Sequence, residues 1–121
     1  MQALKTDGPV KLWTVADIFP DRIGRCLNAL TQGQESRYDR EKHKGFSSEI
    51  DVPPERRFVG FDAYQKAIDS GVDVVILAMP PVFRPQQYAA AVEAGKHVFM
   101  EKPVCVDAPG YRQIVENKKS R

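Results

Sequence analysis

The 121-residue chain is poor in the residues that build metal centres and covalent frameworks, with two cysteines and two histidines. Cys26 and Cys105 lie far apart, with no C-x-x-C pairing and no histidine close by, which argues against a zinc site or a disulfide-stapled fold. Long hydrophobic runs are absent too. The longest, residues 74–79, is far too short to span a bilayer, and the opening MQALKTDGPV has neither the basic region nor the apolar stretch of a signal peptide. Eighteen Lys and Arg stand against sixteen Asp and Glu, and no tract collects one sign, so neither nucleic acid nor a membrane surface is expected as a partner. Among eight glycines there is no G-x-G-x-x-G.

What is present suits one globular domain. Hydrophobic residues make up 42% of the chain, and a chain of this size buries roughly two thirds of the surface it exposes when unfolded. Short β-branched runs predict strands at residues 11–16 (KLWTVA), 57–59 (RFV), 72–78 (VDVVILA) and 97–100 (HVFM). The third carries the unbroken apolar stretch VVILA, expected of a strand covered on both faces in a parallel sheet. Segments with helical spacing alternate with them. Ile23, Cys26, Leu27 and Leu30 form one stripe entered at Pro20, and Phe61, Tyr64, Ala67 and Ile68 form a second, with Asp62 near its start and Gly71 past its end. Tyr88, Ala91 and Val92 give a third between Pro85 and Gly95. Tyr111, Ile114 and Val115 give a fourth, capped by Asp107 and ending in Lys118 and Lys119. Strand and helix in short alternation predict parallel βαβ connections and an α/β fold. A polar excursion at residues 32–56 interrupts the pattern; its mixed charges suit a short exposed helix at 35–44, but a surface loop, functional or mobile, is the expectation.

Ligands of doubly wound α/β folds bind at the carboxyl ends of the strands. Those ends carry Asp17, Gly60, Met79-Pro80-Pro81 and Glu101-Lys102-Pro103. On spacing alone Asp17 is either a helix-entry carboxylate or the acid that holds the adenine ribose of a dinucleotide, and Glu101-Lys102 is either a solvated strand exit or part of a site. His97 reads as structural, His43 as solvated, and Trp13 and Cys26 as core. Cys105 follows the Glu-Lys-Pro turn without a neighbour that would activate it.

The run GVDVVILAMPPVFRPQQYAAAVEAGKHVFMEKPV resembles the Gfo/Idh/MocA oxidoreductases, the glucose-fructose oxidoreductase and inositol dehydrogenase family, whose hallmark Glu-Lys-Pro stands here as Glu101, Lys102 and Pro103. VADIFPDR is similar to the family's second strand with its ribose-binding acid, and VPPERRFVGFDAYQKAID to the segment entering its third helix. The resemblance implies an NAD-dependent oxidoreductase, with NADP as the alternative cofactor, transferring hydride between a sugar- or polyol-like carbinol and nicotinamide. It implies that Asp17 holds the adenine ribose and that Met79 and Pro80 line the cofactor groove. Glu101 and Lys102 would stand near the nicotinamide ribose and the reacting carbon, with Lys102 catalytic and Pro103 fixing the turn.

Three departures qualify this. Many members have a histidine shortly after the double proline, where this chain has Val82, Phe83 and Arg84; the Gly-rich first turn does not occur; and nothing corresponds to the family's C-terminal substrate domain. The expectation is therefore one partial Rossmann domain over residues 1–121, its sheet without its first strand. The remaining strands should fall into two pairs flanking a gap. As an isolated fragment it should be inactive, marginally stable or aggregating, and weak in dinucleotide binding. The rivals are a non-enzymatic Rossmann-like binding module that holds no cofactor and an unrelated flavodoxin-like module. The resemblance is compatible with a homo-oligomer. It also leaves a cytoplasmic location by default and a periplasmic one if an export signal lies upstream.

Overall fold

The computed structural model describes residues 2–5, 8–33 and 45–119. The candidate helix at 35–44 within the expected surface excursion, and His43, lie outside them. The chain divides into two compact units, Met1–Ala63 and Tyr64–Arg121, each built around one parallel strand pair.

In the first unit a 3₁₀ turn (Gln2–Lys5) precedes β1 (Val15–Asp17), α1 (Pro20–Gln32) and, after the excursion, β2 (Arg57–Val59). β1 and β2 are parallel, with Val15 opposite Arg57 and Asp17 opposite Val59. The strand expected at 11–16 is shorter. Leu12 makes an isolated parallel bridge to Ile50, and regular pairing starts only at Val15. The intervening Val52-Pro53-Pro54 explains the break, because two consecutive prolines have no N–H to offer a ladder.

Side chains take over there. The Arg56 guanidinium donates to Trp13 O (2.9 Å) and Asp51 O (2.6 Å), pairs with Asp51 Oδ1 at 2.7 Å, and lies 3.4 Å above the Trp13 ring. Thr14 Oγ1 donates to Arg56 O at 2.7 Å, and Arg57 donates twice to Val52 O. Trp13, expected in the core, is instead a half-buried platform for that guanidinium. Arg56→Met should therefore cost about 2–4 kcal/mol, the sum of two charge-assisted hydrogen bonds and a cation–π contact, discounted for the half-exposed Asp51. Chemical denaturation and amide exchange at Leu12 and Asp51 measure it; an unchanged midpoint with full protection there would refute the assignment.

Pro20 sits in the first turn of α1 and Gly33, at φ 75°, ends it. Ile23 is buried, but Cys26 is exposed, against expectation. A pair of strands about 5 Å apart is narrower than a helix of 10–12 Å, so only the centre of the stripe is covered. Partial desolvation, reinforced by the charge of Asp17, still raises the Cys26 thiol pKa.

α2 (Ala63–Asp69) buries Ala63 and Ile68, and Gly71 follows at φ 95°. Phe61, expected on its buried stripe, precedes the helix and is 74% exposed. The second unit continues with β3 (Val74–Leu77), a 3₁₀ turn (Pro81–Phe83), α3 (Arg84–Glu93), β4 (His97–Met100) and α4 (Ala108–Lys119). β3 and β4 are parallel, with Val74 opposite His97 and Leu77 opposite Met100. The run expected to be covered on both faces is covered on one: Leu77 is buried and Val75 half-buried, whereas Val74 and Ile76 are exposed. α3 packs on β3 and β4, α4 packs on α3, and both therefore serve the same side.

Asp107 caps α4 as the sequence predicts, its Oδ1 accepting from Gly110 N at 2.8 Å. Gly110 also permits the close approach to α3, since a Cβ there would fall 3.0 Å from Pro85 Cγ. The predicted pairing into two is observed, β1 with β2 and β3 with β4. These are the neighbouring pairs 3-2 and 4-5 of the dinucleotide-binding order 3-2-1-4-5-6, and the α/β architecture is that of a partial Rossmann-like fold.

Candidate functional site

The carboxyl ends of β3 and β4 lie side by side because the strands are parallel and in register. Pairing runs one residue past β4, with Glu101 N donating to Leu77 O at 3.1 Å. Beyond that bond the two backbones diverge, Ala78-Met79-Pro80 on one side and Glu101-Lys102-Pro103 on the other. The structure thus brings Met79, Pro80, Glu101, Lys102 and Pro103 to adjacent strand ends. Pro80 O accepts from Phe83 N at 3.1 Å and turns the chain into α3.

Glu101, Lys102 and Pro103 are exposed, Met79 is half-buried, and the Lys102–Pro103 peptide is cis. Glu101 Oε2 accepts from the backbone N–H of Lys102 at 3.2 Å, so the local bond uses the lysine's main chain and not its ammonium. Among the described residues no ion pair engages Lys102. An exposed ammonium beside a carboxylate at a strand end can bind hydroxyl oxygens and stabilise negative charge that develops on one of them.

Asp17 belongs to the first unit, at the carboxyl end of β1. Its Oδ1 accepts from Phe19 N at 2.9 Å, while Gly60 N donates to Asp17 O at 3.1 Å. Gly60, at φ 113°, lets the chain leave β2 there. The helix-entry reading of Asp17 is therefore realised. Because that role occupies a single oxygen, it is compatible with a further ligand. In the second unit, the Glu101–Lys102 pair puts an acceptor and a donor side by side at the strand exit. Met79 and Pro80 add apolar surface.

His97 is exposed at the amino end of β4, with its backbone N–H on Asp73 O, away from the strand exits. No group of three or more potential metal ligands occurs among the described residues. Nor is any described helix long and apolar enough to cross a membrane. Two open concavities of the second unit, about 170 and 340 Å³, are lined by other residues, the larger by Val82, Pro85, Gln86, Val106 and Asp107 among them. The strand-end residues form an exposed edge.

One participant escaped the sequence reading. Arg84, at the start of α3, is only 5% exposed, and its guanidinium donates to Glu101 O (2.8 Å) and to Pro103 O. The signal was an arginine at a helix N-terminus, where the macrodipole disfavours a cation and some tertiary partner must compensate.

Comparison with known proteins falls on the same segment. The Gfo/Idh/MocA model, described as an oxidoreductase family with an NAD-binding Rossmann fold, matches residues 36–121. That stretch includes Met79, Pro80 and the Glu-Lys-Pro turn; Asp17 lies ahead of it. An inositol 2-dehydrogenase of Acidiphilium cryptum (strain JF-5) is 37% identical over 70 residues, 58% of this chain and 20% of that protein. The chain thus spans about a fifth of the length of this relative. No solved structure matches it.

Proposed function

Since the chain belongs to the Gfo/Idh/MocA oxidoreductases, an NAD-binding Rossmann family, we propose that it carries cofactor-binding and catalytic residues of a dehydrogenase that oxidises a sugar- or polyol-like carbinol. The observation that carries this reading is the exposed Glu101-Lys102-Pro103 turn, set beside Met79-Pro80 at the carboxyl ends of two parallel strands and inside the matched segment.

When bound, the dinucleotide supplies the hydride acceptor. Lys102 would donate a hydrogen bond to the reacting oxygen and stabilise the negative charge left there as the hydroxyl proton passes to solvent, before the hydride leaves the carbon and the carbonyl forms. Glu101 binds hydroxyls of the neighbouring ribose, and Pro103 fixes the direction in which both side chains leave the backbone. Met79 and Pro80 pack against the cofactor. In the first unit, Asp17 accepts from the hydroxyls of the adenine ribose and makes NAD the preferred cofactor. Inositol-like polyols are the substrate class to try first, by analogy with the relative's named activity.

The test is a full-length dehydrogenase carrying this chain, assayed with inositols and open-chain polyols for nicotinamide reduction. Polyol-dependent turnover is expected. A folded protein that binds neither NAD nor NADP would refute the reading.

A further inference from the structure

Arg84 is a buried cation whose compensation comes from main-chain carbonyls and not from a carboxylate. No ion pair among the described residues includes it. One nitrogen, Nη1, donates to both Glu101 O and Pro103 O, the carbonyls on either side of Lys102. A nitrogen with two hydrogens in one plane fits two acceptors two residues apart, and both bonds are charge-assisted.

Stability alone does not explain this arrangement. Arg84 stands where the helix dipole opposes a positive charge, and burying a guanidinium without a counter-ion is costly. Its Nε and, one turn along, Gln87 Oε1 are both buried without hydrogen-bond partners among the described residues. A buried polar group left unpaired calls for an explanation beyond apolar packing. Here the cation spans 17 and 19 residues of sequence to grip one exposed turn.

We infer that Arg84 is a positioning residue for Lys102: by holding the carbonyls of Glu101 and Pro103 it fixes the backbone between them, and with it the direction in which the Lys102 side chain projects. The inference rests on the proposed role of Lys102 for its functional half only. The mechanical half stands on the hydrogen bonds alone.

Two variants test it. Arg84→Met keeps the reach but removes every donor, and replacing a buried ion by an apolar side chain of similar volume is often tolerated by the fold. Arg84→Lys restores a multi-donor cation. In a full-length dehydrogenase that carries this chain, Arg84→Met should accelerate exchange of the Glu101 amide, and cleavage of the Glu101–Lys102 bond by a glutamyl endopeptidase, by about tenfold or more. The Ala94 and Gly95 amides, which close α3 on Ala90 O and Val92 O, should keep their rates, and Arg84→Lys should recover most of the protection at the turn. Unchanged rates at Glu101, acceleration spread evenly through the second unit, or a lysine variant no better than methionine would each overturn the inference.

In the full-length dehydrogenase, Arg84→Met should lower kcat about tenfold or more with KM for NAD nearly constant, and Arg84→Lys should restore part of it. If Lys102→Ala retains turnover, the functional reading of Lys102 fails. If Lys102→Ala loses turnover while Arg84→Met retains it, the positioning role fails.

Discussion

Lys102→Ala is expected to lower kcat by about 10²-fold or more in a full-length dehydrogenase that carries this chain, with KM for NAD little changed. The asymmetry follows from what the side chain does in the structure. Its ammonium is exposed and takes part in no ion pair among the described residues, and the carboxylate of Glu101 is turned to the lysine's own backbone N–H. A cation left uncommitted is of most use where negative charge appears only in the transition state, and removing it then leaves ground-state binding almost untouched. Lys102→Arg keeps the charge but replaces a compact point donor by a planar fork of different reach, and should recover only a small part of the rate. Steady-state kinetics on the three proteins decide this. A Lys102→Ala enzyme within a fewfold of wild-type turnover would return the residue to a solvated strand exit.

How far this was legible in the sequence depends on how local the determining interactions are. The strands at 57–59 and 97–100 lie where the runs RFV and HVFM place them. Pro20 and Asp107 open α1 and α4 through contacts confined to one turn. The first strand is shorter than its apolar run because what truncates it is non-local. Two prolines and the Arg56 side chain, 43 positions from Trp13, replace the backbone partner that KLWTVA seemed to need. Phe61 and Cys26 fit a helical period, but period alone does not say where a helix starts or how wide a surface it covers. The placement of the candidate site was readable, since Glu-Lys-Pro directly follows an apolar run and strand exits are where such folds bind ligands. Arg84 at a helix N-terminus signals that some partner must compensate it but not which, for its two acceptors are carbonyl oxygens that every residue type possesses, and no pattern in the side chains records them.

Asp17→Ser in the same full-length enzyme is expected to move cofactor preference from NAD toward NADP, if Asp17 holds the adenine ribose as proposed. The Asp17 carboxylate stands at the exit of β1 with Oδ1 fixed by the Phe19 amide. A 2′-phosphate placed about 4 Å from it meets a repulsion of roughly 1–4 kcal/mol, depending on how much water remains between them. Removing the charge should therefore raise kcat/KM for NADP by about ten- to a thousandfold, and losing two hydrogen bonds to the ribose should lower it for NAD by about tenfold or more. Arg22 decides how large the gain becomes. It lies in the first turn of α1, its guanidinium 5.6 Å from the centre of the Phe19 ring, and it is the nearby cation that can meet a 2′-phosphate once Asp17 is neutral. The double variant Asp17→Ser, Arg22→Ala should then lose most of the NADP gain without recovering NAD. Cofactor kinetics on wild type, Asp17→Ser and the double variant separate the two effects. A single variant that leaves the NAD to NADP ratio unchanged would restrict Asp17 to its observed role of accepting from the first amide ahead of α1.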